Sequence, residues 1–502
     1  MTAVKEAMRR PLGQFARRSV AGLAAVTGAG VAFGMLLMLV RLHWGPLYHA
    51  DHEAAEWFNK LVAPHHALVT VLRAITDLGG RPVLIWLVTI AVVGLLIRRQ
   101  PRLAAYLIIT GVGGGILDPT LKALVGRLRP VVDVPITQAP GNSFPSGHAL
   151  GSFVAYGALL LVFLPALAPR WRRPAIALVA ALVFLIGLTR IALGVHFVSD
   201  VFGGWLLGVA WLGVTAYAFR LWRRERGRPV PPISEGLEPE AGEEISPAPD
   251  EEHVLEHPRS SAAELLVGWV LVLGAVYAFG MVVSYHAKGT VLDALDTRVP
   301  QWFAARRTDP LNDLSWWWSK FGDTHAILLV SLVFCPLVLA VGKRWRPVLF
   351  VVLAMFGELS LFLVTARLVE RPRPPVEHLD GRLPTSSYPS GHIAATICLW
   401  SAMAIIVFAR TDRWWRWLFV ALAVIMPVGV ATSRMYRGMH HPTDFVGAIL
   451  LAAGWIGLLC WVVRPNADVR PGACWPGRRP AADRPAIGPA RMHESANAGR
   501  EN

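Results

Sequence analysis

A short segment early in the chain carries residue types that bind phosphate. Lys122, Arg127 and Arg129 lie within eight residues of one another. Arginine presents a planar fork to phosphate oxygens, and lysine presents a point charge. Snorkelling of long side chains at a membrane boundary is the alternative explanation. Arg129 recurs as Arg373, 244 positions later, and this recurrence favours a binding role.

A second segment, Pro145-Ser146-Gly147-His148, begins an apolar stretch. A Ser-Gly turn before a helix exposes unpaired backbone N–H groups and the positive end of the helix dipole, and glycine lets a ligand approach the backbone. The segment therefore predicts an anion cradle at Ser146 and Gly147. The same four residues recur 244 positions later, as Pro389, Ser390, Gly391 and His392.

A third segment contains Arg190, His196 and Asp200. A histidine and an aspartate four residues apart share one face of a helix. The aspartate can fix the tautomer of the imidazole and leave its other nitrogen free to attack. A plain surface pair is the alternative, but Arg434, His440 and Asp444 repeat the set at the offset of 244. Asp51 with Trp57-Phe58 also recurs, as Asp296 with Trp302-Phe303, at an offset of 245.

These polar segments interrupt apolar stretches that are long enough to cross a bilayer, which takes about 20 residues. The sequence predicts an all-α polytopic membrane protein made of two tandem six-helix transmembrane units. An even number of spans in each half makes the repeats parallel, so both polar sets fall on the same face of the membrane. The predicted spans are Ser19–Val40, Pro82–Ile97, Leu103–Leu121, His148–Ala168, Pro174–Ala192, Ser199–Phe219, Ala262–Ser284, Ala326–Val341, Pro347–Ala366, His392–Ala409, Trp417–Thr432 and Phe445–Val463.

Composition agrees with a membrane protein and argues against nucleic-acid binding. Of the 502 residues, 54% are hydrophobic and 17% charged, and the formal net charge is +15. If the N-terminus is cytoplasmic, 30 of the 49 lysines and arginines fall in cytoplasmic loops and tails. This positive-inside pattern explains the excess charge. It predicts cytoplasmic termini, extracytoplasmic active sites and a location in the plasma membrane. The four cysteines lack the spacing of metal ligands.

The two halves are joined and followed by polar segments. Residues 220–261 combine a basic cluster with many prolines and acids, and 466–502 are rich in Pro, Ala and Arg. Both have too few apolar residues to build a core, so we predict a disordered cytoplasmic linker and tail. The predicted organisation is a first phosphate-binding unit over 1–219 and a second over 262–465.

Together the polar segments resemble the three signature motifs of the type-2 phosphatidic acid phosphatase superfamily, the lipid phosphate phosphatases. Thr189 stands where serine is usual, and in the second half Ala366 replaces the motif lysine, with Arg367 beside it. The matching residues are Lys122, Arg129-Pro130, Pro145 to His148, Thr189-Arg190, His196 and Asp200, then Arg373-Pro374, Pro389 to His392, Ser433-Arg434, His440 and Asp444.

The resemblance implies the helical fold shared with haloperoxidases and a two-step phosphoryl transfer that needs no metal or other cofactor. His196 would attack phosphorus, His148 would protonate the departing oxygen, and Asp200 would orient His196. The oxygens would be held by Lys122, Arg129, Arg190, Ser146 and Gly147. The second half would use His440, His392 and Asp444, with Arg373, Arg434, Ser390 and Gly391 as phosphate ligands.

The expected activity is hydrolysis of phosphomonoester or pyrophosphate groups on membrane lipids. Phosphatidic acid, phosphatidylglycerophosphate and polyprenyl pyrophosphate all fit, and the second site is expected to differ in preference because it lacks the lysine. Three alternatives stay open: a lipid phosphotransferase, a transporter or flippase with vestigial motifs, and a vanadium-dependent haloperoxidase. Asp118 and Glu358 are acids inside predicted spans, and such residues are expected to pair with a nearby cation.

Overall fold

The computed structural model describes residues 2–137, 139–249, 251, 253–381 and 385–469. Over these residues the chain forms α-helices joined by turns and short 3-10 segments, with no β-strand. The predicted all-α class is therefore confirmed. The spanning segments are helical because a helix satisfies its own backbone hydrogen bonds in lipid. Their side chains are mainly apolar because they face lipid or other helices.

Twelve helical stretches of the described chain are long and apolar enough to span a membrane. They coincide with the twelve predicted spans to within a few residues, except that the second begins at His66, well before the predicted Pro82. The stretches are Gly22–Arg41, His66–Ile97, Pro101–Val125, Gly147–Ala166, Pro169–Ala192, Val198–Glu225, Pro258–His286, Thr324–Gly342, Arg346–Val369, Gly391–Arg410, Arg416–Tyr436 and Pro442–Val462. The protein is an integral membrane protein.

The chain divides into two compact units. The first unit comprises residues 1–271 and 320–357, and the second comprises 272–319 and 358–502. In the first unit, α6 packs against α4, α5, α7 and α8, and α1 packs against α8. The helices of the first half are α1 (Thr2–Arg41), α2 (Gly45–Val62), α3 (His66–Asp77), α4 (Arg81–Ile97), α5 (Pro101–Val125), α6 (Gly147–Phe163), α7 (Pro169–Ala192), α8 (Val198–Glu225) and α9 (Gly242–Ile245).

The second half is built on the same plan. In the second unit, α15 packs against α16 and α17, and α11 packs against both of those helices. The helices of the second half of the sequence are α10 (Pro258–Met281, continued by a π-helical turn to His286), α11 (Val291–Ala304), α12 (Asp309–Phe321), α13 (Thr324–Gly342), α14 (Arg346–Val369), α15 (Gly391–Arg410), α16 (Arg416–Tyr436) and α17 (Pro442–Val462).

The boundary between the units differs from the predicted one. Helix α13, from the second half of the sequence, packs against α4 within the first unit. The Arg98 side chain fixes this contact by donating hydrogen bonds to the carbonyls of Ala340 and Leu339. By sequence order, α13 belongs to the second repeat. The repeat does not show which helices pack together, so this contact could not be predicted from it.

Part of the segment predicted as a disordered linker is folded onto the first unit, so that prediction is wrong for these residues. Leu237, Ala241 and Ile245 are buried in the same apolar cluster as Leu103 and Val162. Arg223, at the end of α8, pairs with Glu238 at 3.1 Å and with Glu240 at 2.5 Å. Three apolar side chains and one buried arginine order a segment whose average composition is polar.

The predicted disordered tail, 466–502, falls mostly outside the described residues. Helix α17 ends at Val462, and Asp468 accepts a hydrogen bond of 2.8 Å from Arg410 on α15. The described chain ends at Val469.

Candidate active sites

The first site forms where α5 and α7 end and α6 and α8 begin. Gly126 ends α5 and Gly194 makes the turn between α7 and α8, both in the left-handed region with φ of 68° and 70°. The backbone N–H of Ser146 donates to the carbonyl of Asp200 at 2.9 Å, which joins the start of α6 to the first turn of α8. Four helix ends thus bring the three polar segments of the first half together.

His196 and Asp200 form the predicted pair at the start of α8. Nδ1 of His196 lies 3.3 Å from Oδ2 of Asp200, and the same oxygen accepts the backbone N–H of Phe197 at 2.9 Å. Asp200 therefore caps the helix and orients the imidazole at once. Burial lowers the pKa of His196 to about 4, although Asp200 acts in the opposite direction. The ring is neutral at ordinary pH, with a lone pair on Nε2.

Arg129 is held beside that nitrogen. Its Nη1 lies 3.1 Å from Nε2 of His196 and donates to the carbonyl of Val195 at 2.7 Å. Its Nε donates to the carbonyl of Gly141 at 3.0 Å. These carbonyls hold the guanidinium beside the point where a phosphoryl group attacked by Nε2 would lie.

Two buried polar atoms next to this point have no hydrogen-bond partner within the described chain: Oγ of Ser146 and Nε of Arg190. Nη1 of Arg190 is occupied, since it donates to Oγ1 of Thr76 on α3 at 2.9 Å. Buried polar atoms are rarely left unpaired, and unpaired buried donors are suited to binding an anion. An oxyanion bound between Ser146 and Arg190 would satisfy both atoms.

Lys122, Gly147 and His148 complete the predicted set. Lys122 forms an ion pair of 2.9 Å with Asp118, whose carboxylate packs so closely on Gly147 that a Cβ there would come within 2.8 Å of both oxygens. His148 is half-buried on the first turn of α6 and lies within electrostatic range of four basic side chains: Arg190, His196, Lys122 and Arg129. All eight residues predicted for the first site are gathered at one end of the unit.

In the second site, the candidate nucleophile His440 has a different closest contact. Nδ1 of His440 lies 2.7 Å from the carbonyl oxygen of Ser387 and 3.4 Å from Oδ2 of Asp444. The carbonyl oxygen is therefore the closer acceptor of the Nδ1 proton, and the carboxylate of Asp444 is the more distant one. Burial lowers the pKa of His440 to about 4. Either acceptor leaves Nε2 free.

The arginines of the second site repeat those of the first. Arg373 donates to the carbonyl of Met439 at 2.7 Å, as Arg129 does to that of Val195. Arg434 donates from Nη1 to Ser319 at 2.9 Å and to Asp380 at 2.6 Å. Within the described residues, Nε and Nη2 of Arg434 and Oγ of Ser390 are buried without hydrogen-bond partners.

The surroundings of the second glycine are apolar. A Cβ on Gly391 would lie 3.0 Å from the ring of Phe362, which stands where the first half has Asp118. Ala366, at the lysine position, is buried, and Arg367 is exposed. His392 is half-buried on the first turn of α15. The expected pairing of Asp118 with a cation is confirmed, whereas Oε1 of Glu358 is buried without a hydrogen-bond partner among the described residues.

The sequence analysis missed a second layer of contacts behind each Asp. Arg127 donates from Nη1 to Asp200 at 2.7 Å and from Nη2 to Asp51 on α2 at 2.8 Å. Asp51 also accepts the backbone N–H and the hydroxyl of Ser199. The signals in the sequence were the recurrence of Asp51 as Asp296 and of Arg127 as Arg371.

The second unit repeats this layer. Arg371 donates to Asp444 at 2.6 Å and to Asp296 at 2.5 Å, and Asp296 accepts the backbone N–H of Thr443 at 3.0 Å and its hydroxyl at 2.6 Å. An arginine bridging two buried carboxylates thus holds the orienting Asp in each unit.

An apolar groove of about 540 Å³ leads away from the first site. It runs between α4, α5 and α6, and its walls are formed by aliphatic side chains such as Leu84, Val88 and Val112. Its polar end consists of Arg81, Asp118 and Gly147. The groove therefore connects the anion cradle to the membrane-spanning part of the unit.

Comparison with known proteins yields a consistent set of similarities. The PAP2 superfamily profile matches residues 102–224 and 347–468. Phosphatidylglycerophosphatase B of Bacillus subtilis (strain 168) is 28% identical over 177 residues, 35% of this chain and 85% of that protein. An undecaprenyl-diphosphatase of Sulfolobus acidocaldarius is 31% identical over 166 residues, 32% of this chain and 74% of that protein.

A solved structure is also similar. The crystal structure of a transmembrane PAP2-type phosphatidylglycerolphosphate phosphatase from Bacillus subtilis aligns with a TM-score of 0.35 and 24% identity, over 39% of this chain and 96% of that one.

Proposed function

This chain belongs to the PAP2 superfamily, and we propose that it hydrolyses lipid phosphates through a phosphohistidine at each of its two sites. It is a membrane-integral lipid phosphatase. The observation that carries the proposal is the setting of His196, a buried neutral imidazole held on Nδ1 by Asp200 with Arg129 3.1 Å from Nε2. The unpaired atoms of Ser146 and Arg190 support an adjoining oxyanion site.

In the first step, Nε2 of His196 attacks phosphorus. The N–P bond forms as the bond from phosphorus to the lipid oxygen breaks, and His148 gives a proton to the departing oxygen. Arg129, Arg190, Lys122, Ser146 and the Gly147 amide bind the three other phosphoryl oxygens. Phosphoryl transfer depends mainly on positioning and on neutralising spread negative charge, which these groups supply.

In the second step, water displaces His196 from phosphorus and gives its proton to His148, now acting as the base. Asp200 stabilises the positive charge that His196 carries while its Nε2 is phosphorylated. The second site would use His440, His392 and Asp444, with Arg373, Arg434, Ser390 and Gly391 around the phosphoryl group. Covalent catalysis of this kind replaces one difficult step by two easier ones.

The substrate class follows from the groove. A phosphate held at Gly147 would leave its acyl or prenyl chain among α4, α5 and α6, so phosphatidic acid, phosphatidylglycerophosphate and polyprenyl pyrophosphate are the substrates to test. Basic residues such as Arg99, Arg102 and Arg172 lie at the opposite ends of α4, α5 and α7 from the site. By the positive-inside rule, these residues support our proposal that the site faces the extracytoplasmic side of the plasma membrane and that both termini are cytoplasmic.

The decisive experiment measures phosphate release by the detergent-purified protein from these three lipids, with a chelator present. We expect release by the wild type, partial loss in His196→Ala and in His440→Ala, and complete loss in the double variant. Trapping of acid-labile phosphate on His196 in a His148→Ala variant would identify the intermediate. Full activity in the double variant would refute the proposal, and transfer to an added alcohol without hydrolysis would make the protein a phosphotransferase.

A further inference from the structure

Two cations share one carboxylate at the polar end of the groove in the first unit. Nη2 of Arg81 lies 2.7 Å from Oδ2 of Asp118, and Nζ of Lys122 lies 2.9 Å from Oδ1. Asp118 is buried, whereas the side chain of Arg81 is 71% exposed and belongs to the groove lining. The cluster carries a net positive charge beside Gly147.

At the offset of 244, two of the three positions of this cluster lose their charge in the second half, and His325 stands at the position of Arg81. Phe362 replaces Asp118 and Ala366 replaces Lys122, and the Phe362 ring covers the face of Gly391 that the carboxylate of Asp118 covers at Gly147. Asp380 does not take the place of Asp118, because it pairs with Arg434 and Arg437. The two sites therefore have the same residues around the histidine that would attack phosphorus. They differ in the groups that cover Gly147 and Gly391.

This difference lies where a lipid diphosphate differs from a lipid monophosphate. A monoester carries about 1.5 to 2 negative charges near pH 7. A diphosphate adds a second anionic phosphoryl group, located between the attacked terminal phosphorus and the lipid. In the first unit that group would enter the groove beside Arg81 and Lys122. In the second unit it would meet an aromatic ring and a methyl group, and an unpaired anion in apolar surroundings is strongly disfavoured.

Resting on the proposed function, we propose that the first site takes lipid diphosphates as well as monophosphates and that the second is confined to monophosphates, with Arg81 as the residue that determines the difference. For a diphosphate, Nε2 of His196 bonds to the terminal phosphorus and the bond to the bridging oxygen breaks. The electron pair stays on that oxygen, so lipid monophosphate leaves. Water then cleaves the N–P bond, releasing inorganic phosphate and a proton.

The product of the first reaction is a substrate for the second site. A lipid monophosphate released into the same bilayer can be hydrolysed to the lipid alcohol by either unit. The fused chain would thus perform two consecutive dephosphorylations of one lipid. A purely structural role, in which Arg81 and Asp118 only tie α4 to α5, predicts no difference in substrate range between the sites.

The test uses single-site forms of the full chain. His440→Ala leaves only the first site and His196→Ala only the second, and each is assayed for phosphate release from a polyprenyl diphosphate and from the monophosphate of the same chain length. The measured quantity is the ratio of kcat/KM for diphosphate to that for monophosphate. We expect this ratio to be at least about tenfold higher in the first-site form, in line with the value of one charge-assisted hydrogen bond.

Arg81→Gln in the first-site form should lower the ratio about tenfold, and its monophosphate turnover reports that the variant is folded. Arg73→Gln is the matched control, because Arg73 on α3 bonds only to the carbonyl of Ile136 among the contacts described for it. Equal ratios in the two single-site forms, or an unchanged ratio in Arg81→Gln, would overturn the inference while leaving the proposed function intact. Absence of release from both lipids in every form would overturn both.

Discussion

At the scale of single residues, the protein solves one electrostatic problem in both sites: it keeps a histidine neutral inside a cluster of arginines. Burial and the neighbouring guanidinium groups disfavour the imidazolium ion, and they outweigh the stabilising effect of Asp200 on His196. The neutral ring has a nucleophilic lone pair. In the proposed mechanism, phosphorylation would put positive charge on the ring, and Asp200 would be its counter-ion.

This arrangement predicts a specific loss of stability in acid. The pKa values of His196 and His440 are lowered from 6.5 to about 4 by burial. Between these values the unfolded chain binds protons that the folded chain excludes, so stability falls as pH falls from 6.5 to 4. The melting temperature of the wild type should therefore drop more between pH 7 and 4.5 than that of His196→Gln/His440→Gln.

The expected difference is a few degrees, since about 1 kcal/mol shifts the melting temperature of units of this size by about 2–4 °C. Both proteins lose carboxylate interactions in acid, so the comparison isolates the histidines. If the melting temperatures of the two proteins fell by the same amount between pH 7 and 4.5, the two histidines would not be a cause of the loss of stability in acid.

The layer behind the catalytic Asp predicts an effect on turnover without an effect on binding. Asp51 contacts Arg127 and Ser199, and neither is among the phosphate ligands of the proposed mechanism. Asp51→Asn in the His440→Ala form should lower kcat about ten- to hundredfold and leave KM nearly unchanged, because a small displacement of the nucleophile is costly. Asp296→Asn in the His196→Ala form should do the same for the second site.

Glu56→Gln is the control for this experiment, since Glu56 lies exposed on the same helix and pairs only weakly with Lys60 at 4.0 Å. It should leave both parameters at their wild-type values. A rise in KM with constant kcat in Asp51→Asn would assign Asp51 to substrate binding and contradict the positioning role.

The residues that would contact phosphate could be predicted from the sequence, but the residues behind them could not. The spacing of His196 and Asp200 is local, so helix geometry alone implies their contact. Asp51 and Arg127 are 76 positions apart, and no local pattern shows that they meet. Likewise, the closer approach of the Ser387 carbonyl to His440 depends on a loop conformation that the sequence does not specify.

At the scale of elements, each site depends on how tightly the last helix of its repeat approaches the loop before the cradle. Gly203 on α8 accommodates the ring of Phe144, and Gly447 on α17 accommodates that of Tyr388. These rings directly precede Pro145 and Pro389. The two glycines are 244 positions apart, so the close approach is part of the duplicated design.

Adding one methyl group at these glycines should disturb the sites. A Cβ at Gly447 would lie 2.3 Å from the Tyr388 ring, and one at Gly203 would lie 2.7 Å from the Phe144 ring. Overpacking of this kind costs about 1–3 kcal/mol. Gly447→Ala should lower the melting temperature and the activity of the second site, and Gly203→Ala those of the first.

Gly457→Ala, on the same helix α17, provides the contrast, because a Cβ there meets no atom within 4 Å. Alanine is favoured over glycine inside a helix by about 0.5–1 kcal/mol, so this variant should be neutral or slightly stabilised. Equal losses from Gly447→Ala and Gly457→Ala would show that helix propensity, and not contact with Tyr388, determines the effect.

Prediction of elements succeeded for the spans and failed for shorter pieces. A long apolar run identifies a spanning helix with little ambiguity, whereas α2, α3, α11 and α12 are short and mixed in polarity. Yet these helices supply Asp51, Thr76, Asp296 and Ser319 to the sites. The 220–261 segment was misjudged for a related reason: its average composition hides Leu237, which is 1% exposed.

At the scale of the whole molecule, the two halves share their candidate site residues and differ in what surrounds them. Both units contain two histidines, an aspartate and two arginines at matching positions, but Ala366 and Phe362 stand where the first half has Lys122 and Asp118. The constant offset revealed the duplication, since only a shared ancestor keeps many polar residues in register. The division into compact units was not predictable in the same way, because nothing in the repeat indicates that α13 packs against α4.

Orientation in the membrane gives a prediction for the molecule as a whole, and positions within the first unit suffice to test it. Val131, 92% exposed beside Arg129, and Trp171, 57% exposed at the start of α7, lie at opposite ends of the unit. In a chain whose four cysteines are replaced by serine, Val131→Cys should react with a membrane-impermeant maleimide on intact cells. Trp171→Cys should react only after permeabilisation, because the arginines beside it retain that end in the cytoplasm. The reverse labelling pattern would place the catalytic histidines on the cytoplasmic face, where they would meet a different population of lipid phosphates.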